Sequence, residues 1–315
     1  MSEAGDYQPA TWAVSHDFGN ARRSYAQKNQ DRVQEVVRTG GASLLEDTVI
    51  TQCENPLVVC CDVTGSMGEW PEIMFSKLPY LENEAKVYLG NDVEICWSAV
   101  RDFRDGNDYP LQARPFAKGA DHLKRLEEIY RGGGGRPSEC YDLAAAYFAN
   151  NCKMPNAINP ILIFIGDDTV YKRLTKEEAK THGKVDLPKM QTNEQLFTSL
   201  KQIFDVYLVQ KVTEVSGNQL VGYDLEVYKS WEPLLGADHI VSLPDPNRVV
   251  DCIFGILGEA TGKREYFVEE LKERQLKDKD GKKKIDTVMT AMKTIHVDPE
   301  TEIKAGKRKP TKKLL

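Results

Sequence analysis

Two short apolar runs constrain this chain more than any other feature. Leu57-Val-Val-Cys-Cys61 and Ile161-Leu-Ile-Phe-Ile165 contain no charged or hydrogen-bonding side chain apart from the thiols. A strand wetted on one face alternates apolar and polar residues. An unbroken apolar run bounded by turn residues fits a central parallel strand covered on both faces. Parallel neighbours need crossover connections, usually helices, and the rest of the sequence supplies them. Strands are predicted at 93–100, 111–116, 206–209 and 240–243, and helices at about 70–89, 118–130, 137–149, 194–204, 223–235 and 247–259. Pro71 suits the first turn of its helix, whereas Pro79 should divide that helix. This order predicts a doubly wound, Rossmann-like α/β domain. Its six-stranded sheet is mostly parallel, with helices on both faces and 111–116 as a short antiparallel edge strand.

Residues 56–262 carry that pattern. Residues 1–55 read as a polar, partly helical N-terminal extension, with a weak helical pattern from Asn20 to Arg38. In residues 263–315, Ile285, Val288, Met289, Met292 and Ile295 lie at helical spacing, which predicts one docked amphipathic helix followed by a basic tail. The formal net charge of −6 divides unevenly: 263–315 holds 16 basic and 10 acidic residues, a net of +6, so the remainder carries −12. Such an acidic body disfavours nucleic acid, leaving the tail for weak contact at most. The polar insertion 169–192 shows no strong period. The seven cysteines form no Cys-x-x-Cys pair and read as small buried hydrophobes. The N-terminus has no charged-then-apolar leader, and no apolar run approaches the roughly 20 residues of a membrane span. A cytoplasmic protein is expected.

Ligands of open α/β sheets bind outside the carboxyl ends of the strands, where the strand order reverses. Both apolar runs end in oxygen-rich loops there: Asp62, Thr64 and Ser66 after the first, Asp167 and Asp168 after the second. A third loop, Gly132 to Glu139, adds Ser138 and Glu139. Hydroxyls and carboxylates without sulfur or imidazole describe a hard-cation site, for Mg2+ first and Mn2+ or Ca2+ as alternatives. Asp102, just past the strand at 93–100, and Asp168 are expected behind the ligands. Trp70 is expected to pack under its helix, and the five scattered histidines are given no role.

Asp62-Val-Thr-Gly-Ser66 resembles the Asp-x-Ser/Thr-x-Ser signature of the metal-ion-dependent adhesion site in von Willebrand factor type A domains. The resemblance spans about 56–262 and includes Trp231-Glu-Pro-Leu-Leu-Gly236 before a strand. It is closest to a microbial intracellular branch with Asp-Val-Thr-Gly-Ser-Met-Gly and a Gly-rich Glu-Cys/Ser-Tyr loop. It implies a non-catalytic adaptor that binds another protein through a metal, in some cases beside an ATPase-containing assembly. Thr64 and Ser66 would touch the ion directly, Asp62 and Asp167 largely through water, and a partner carboxylate would fill an open position. The departure is in the second loop, where the family threonine is replaced by Ser138 or Glu139. A Glu139 ligand would neutralise much of the ion's charge, so metal would bind well and a partner Asp or Glu poorly.

The rival is an enzyme. Asp62-x-Thr-Gly-Ser also resembles the nucleophile loop of haloacid-dehalogenase-type phosphotransferases. There Asp62 would attack phosphorus while Asp167 and Asp168 hold Mg2+. That chemistry needs a lysine shortly before the acidic loop, and Lys153 is available. Gly132-Gly-Gly-Gly-Arg-Pro-Ser138 lacks the Gly-Lys-Ser/Thr ending of a nucleotide-binding loop, and Asp278-Lys-Asp-Gly281 places its glycine wrongly for a calcium loop.

Overall fold

The protein is described by a computed structural model, which covers residues 20, 22–28, 30–31, 44–77, 81–105, 109–131, 138–216 and 219–295. Six strands form one sheet: β1 (Leu57–Asp62), β2 (Ile95–Val100), β3 (Leu111–Ala113), β4 (Ile161–Gly166), β5 (Asp205–Lys211) and β6 (Ile240–Leu243). Their spatial order is β6-β5-β4-β1-β2-β3. All neighbours are parallel except β3, which runs against β2 from Ser98↔Ala113 to Val100↔Leu111. The chain winds outward from β1 to β3, then returns to the other side of β1 for β4, β5 and β6. The order therefore reverses between β1 and β4, and the crevice at their carboxyl ends is where a doubly wound sheet takes its ligands.

Alternation along β1 explains why both its faces had to be apolar. Leu57, Val59 and Cys61 belong to one core; Val58 and Cys60 belong to the other. Helices cover both. The first core is closed by α1 (Trp70–Lys77), α2 (Leu81–Leu89) and α8 (Val249–Ala260), the second by α4 (Tyr141–Asn151), α6 (Asn193–Lys201) and α7 (Gly222–Leu235). Helix α3 (Ala120–Glu127) follows β3. Tyr141 to Phe148 of α4 are all buried, and Ala144-Ala-Ala146 lets that helix lie close to the strands. Trp70 is buried beneath α1. Six of the seven cysteines are buried free thiols, and Cys152 is partly so. No helix among the described residues is long and apolar enough to cross a membrane.

Some predicted boundaries are corrected. The division expected at Pro79 falls between α1 and α2, although Pro79 itself lies outside the described residues, as do Gly132 to Pro137. Helix α3 is shorter than the predicted 118–130. The helix predicted from 137 begins at Tyr141, because the preceding segment is drawn out to pair with other loops. The Glu139 amide donates to the Thr169 carbonyl (3.3 Å), and the Cys140 amide to that of Arg101 (3.3 Å). The insertion 169–192 is also ordered. It holds α5 (Lys176–Gly183) between two antiparallel two-residue strands, Arg173–Leu174 and Gln191–Thr192. Thr175 and Glu178 form a capping box at its start, and that signal was in the sequence.

Among the described residues, the C-terminal segment adds two helices where one was expected. Helix α10 (Gly281–Ala291) buries Ile285 and Val288, and the turn after it buries Met292 and Ile295. Helix α9 (Arg264–Gln275) buries Phe267, Leu271 and Gln275, too few apolar positions to show as a period. These apolar residues join the first core. Arg274 of α9 reaches the buried Asp251 of α8 (3.0 Å), which Arg248 also meets (3.0 Å).

Candidate metal centre

Asp62 ends β1 and is fully buried. One carboxylate oxygen accepts from the Thr64 amide (2.8 Å) and the Thr64 hydroxyl (2.6 Å). That short-range pairing turns the chain sharply at the strand end. The other oxygen accepts from the Tyr141 hydroxyl (3.1 Å). Tyr141 reaches it across Gly166, the last residue of β4. A Cβ on Gly166 would sit 1.8 Å from the tyrosine oxygen, so glycine is required. The Tyr141 ring packs against Trp231 (4.9 Å between centroids), whose indole N–H donates to the Asp168 carbonyl (3.0 Å).

Three loops then bring three carboxylates together. Ligand oxygens of Asp62, Glu139 and Asp168, all buried, lie within 4.8 Å of one another. Glu139 arrives by the extended pairing of its loop with Thr169 and Val170. In the same place Ser138 and Thr169 hydroxyls are 2.7 Å apart. Asp168 is fixed by the Tyr223 hydroxyl (2.5 Å). Burial, reinforced by the charge of Asp167, pushes the Asp62 carboxyl up to about 7 despite its hydrogen bonds with Thr64. Burial likewise raises Asp168 to about 6, with the Tyr223 bond pulling the other way. Carboxylates crowded out of water strain to hold their protons unless a cation offsets them.

Asp167 lies to one side of this group. Gly166 pairs with Gln210 in the sheet, so Asp167 falls beside Lys211 at the end of β5. One oxygen accepts from the Ser66 hydroxyl (3.0 Å) and the other from the Lys211 ammonium (2.7 Å). Lys211 also donates to the Ser66 carbonyl. The aspartate that joins the three-carboxylate group is Asp168, expected from the sequence to lie behind the ligands. Both aspartates act on Asp62 through their charge, Asp167 the more strongly, but only Asp168 has an oxygen within 4.8 Å of ligand oxygens of both Asp62 and Glu139.

Asp102 lies at the same sheet edge, fully buried. It accepts from the Tyr171 hydroxyl (2.6 Å), the Arg104 amide (2.9 Å) and the Cys140 thiol (3.4 Å). It thus holds the loop carrying Glu139 by the next residue. Thr64 is buried, while Ser66 is exposed. Lys153, the lysine a phosphotransferase would use, sits past the far end of α4, paired beside Ile50. The 11 residues of that helix place it about 16 Å from the carboxylates' end. Lys211, Tyr141, Tyr223 and Thr169 were not singled out from sequence. The strand-end rule that found Asp62 and Asp167 also points to Lys211, once β5 is seen to run past Val209.

The donors fit a hard divalent cation: carboxylates and hydroxyls converge from three loops, with no thiol or imidazole among the converging groups. No family model matches the chain, and no curated protein does. Among solved structures, the pilus adhesin SpaC from Lactobacillus rhamnosus GG, in its open conformation, is similar over 69% of this chain and 31% of its own, at 9% identity and a TM-score of 0.48. Proximal thread matrix protein 1 from the mussel byssus is similar over 66% of this chain and 48% of its own, at 10% identity and a TM-score of 0.43. The chain thus spans less than half the length of either.

Proposed function

We propose that this chain is a metal-dependent protein-binding module of the von Willebrand factor type A kind, an adaptor without catalytic activity, working in the cytoplasm. The observation that carries this reading is the convergence of Asp62, Glu139 and Asp168 within 4.8 Å at the switch point of the sheet. These three would hold the ion, Mg2+ in the first instance, with Thr64, Ser66 and Ser138 offering neutral oxygens beside them. A bound ion would tie three loops together and fix the surface a partner meets. Three carboxylates exceed the charge of a divalent ion, which leaves little attraction for a partner carboxylate. The partner, another protein and in one version an ATPase-containing assembly, would therefore dock on the strand-edge loops around the metal. The exposed part of Tyr223 stands among them.

The same geometry disfavours a phosphotransferase. A nucleophilic carboxylate needs an open line to phosphorus. Asp62 is fully buried, and both its oxygens already accept hydrogen bonds. Titration calorimetry with Mg2+ and Mn2+ tests the reading. Glu139→Gln should weaken binding on the order of tenfold or more, as the loss of one charged ligand implies; unchanged affinity would remove Glu139 from the site. Capture of a partner by wild type in Mg2+, lost in Asp62→Ala or in chelator, supports the module. Equal capture in all conditions refutes metal dependence.

A further inference from the structure

A metal site does not call for Lys211 at this sheet edge. The lysine contributes a positive charge beside four carboxylates, at the end of the strand next to β4. Its ammonium is held at two points, by the Asp167 carboxylate (2.7 Å) and the Ser66 carbonyl. Lys211 and Asp167 side chains are both about one-eighth exposed, at 12%, so the pair is only weakly screened by water. The second oxygen of Asp167 is taken by the Ser66 hydroxyl. Both oxygens of this carboxylate are thus committed, one to the Lys211 ammonium and one to the Ser66 hydroxyl, and Asp167 stays outside the group formed by Asp62, Glu139 and Asp168.

We propose that Lys211 is a resident counter-cation that holds Asp167 out of the carboxylate group and thereby sets how tightly the site binds a divalent metal. The inference rests on the metal reading above. With the lysine present, the five groups carry a formal charge of −3, one ammonium against four carboxylates. Without it the charge is −4 and Asp167 is released, one residue from Asp168 and already the charge that acts most strongly on Asp62. The lysine keeps the ion from being buried under a fourth carboxylate. It also ties Ser66, in the β1 loop, to β5, so the loop is positioned before any ion arrives. A lysine serving only as a structural brace would act differently: removing it would loosen Ser66 and weaken metal binding.

The two roles predict opposite signs in a charge cycle read by Mn2+ calorimetry on the full chain, with near-ultraviolet circular dichroism to check folding. Lys211→Gln should tighten Mn2+ binding on the order of tenfold, the expected effect of one unit charge near a partly exposed site. Lys211→Arg, which keeps the charge, should stay close to wild type. Asp167→Asn should weaken binding by a similar factor. Asp167→Asn combined with Lys211→Gln restores the charge of −3 and should return the affinity near that of wild type. Wild type binding Mn2+ while Lys211→Gln binds equally or more weakly overturns the counter-cation role and leaves the metal site standing. Absence of Mn2+ binding in wild type and every variant overturns both.

Discussion

Gly166 is the residue on which the centre's geometry turns, and replacing it with alanine is a severe test. The added Cβ would lie 1.8 Å from the Tyr141 oxygen, 2.9 Å from its Cζ and 3.2 Å from the Asp62 Cβ. The first two distances are impossible, so Tyr141 must move. Its surroundings resist: Trp231 lies 4.9 Å away and Phe164 5.8 Å away, centroid to centroid, and the residue is fully buried. Forcing extra volume into a packed core costs about 1–3 kcal/mol. Breaking the Tyr141 hydrogen bond to the buried Asp62 carboxylate adds about 1.5–3 kcal/mol. Gly166→Ala should therefore cost about 2.5–6 kcal/mol, a large part of a typical domain's stability, read as the midpoint shift in guanidinium unfolding. Tyr141→Phe removes the oxygen at 1.8 Å, so the double variant should be more stable than the sum of the single losses by at least about 1 kcal/mol. Strict additivity, or a Gly166→Ala loss below about 0.5 kcal/mol, would show that Tyr141 does not cross the strand end as described.

Two further predictions concern pH. Burial holds the Asp142 carboxyl up at about 7, against the pull of Arg104. A group raised in the folded state stabilises fully below its unfolded pKa and loses that contribution as pH rises through its folded one. Asp142→Asn, uncharged throughout, should gain on wild type by up to about 4 kcal/mol between about pH 4 and pH 8 in urea unfolding; a pH-independent difference would refute this. For His239, burial lowers the pKa, but hydrogen bonds to Asp205 (3.1 Å) and Asp238 (3.0 Å) outweigh it and raise the value above normal. Its contribution is therefore present in acid and fades as pH rises past that value. His239→Gln should cost about 0.5–1 kcal/mol near pH 5.5 and little near pH 8.5 by thermal melting; equal losses at both would dismiss the charged pair.

The sheet was legible because its central strands obey a simple rule: burial on both faces leaves no room for a polar residue. Leu57–Cys61 and Ile161–Ile165 declare themselves, and Ile240–Leu243 was placed to the residue. Edges and ends were less legible. Helix α9 buries few apolar side chains and is held partly by the Arg274–Asp251 pair, which leaves no hydrophobic period to read. The start of α4 was misplaced because pairing of Glu139 with the Thr169–Val170 segment, far along the chain, overrides the local helical tendency. At the site, spacing identified the loops and put Asp167 ahead of Asp168, whereas Asp168 is the one grouped with Asp62 and Glu139. Lys211, which pairs with Asp167, arrives from a strand about 40 residues later and shows itself only when the register of β4 and β5 is known.

The docking of the C-terminal segment has a consequence beyond the core it completes. β6 is the last strand of the sheet, and its outer side is a row of backbone groups open to pairing with another chain. The turn Met292–Ile295 lies against it, and the Thr294 hydroxyl donates to the Ile240 carbonyl (2.6 Å). At the opposite margin, β3 has three residues, and Leu44 and Glu46 meet its Ala113. Neither margin offers a long bare strand. The parts of the chain outside the α/β pattern thus act as guards against edge-to-edge association at both margins of the sheet.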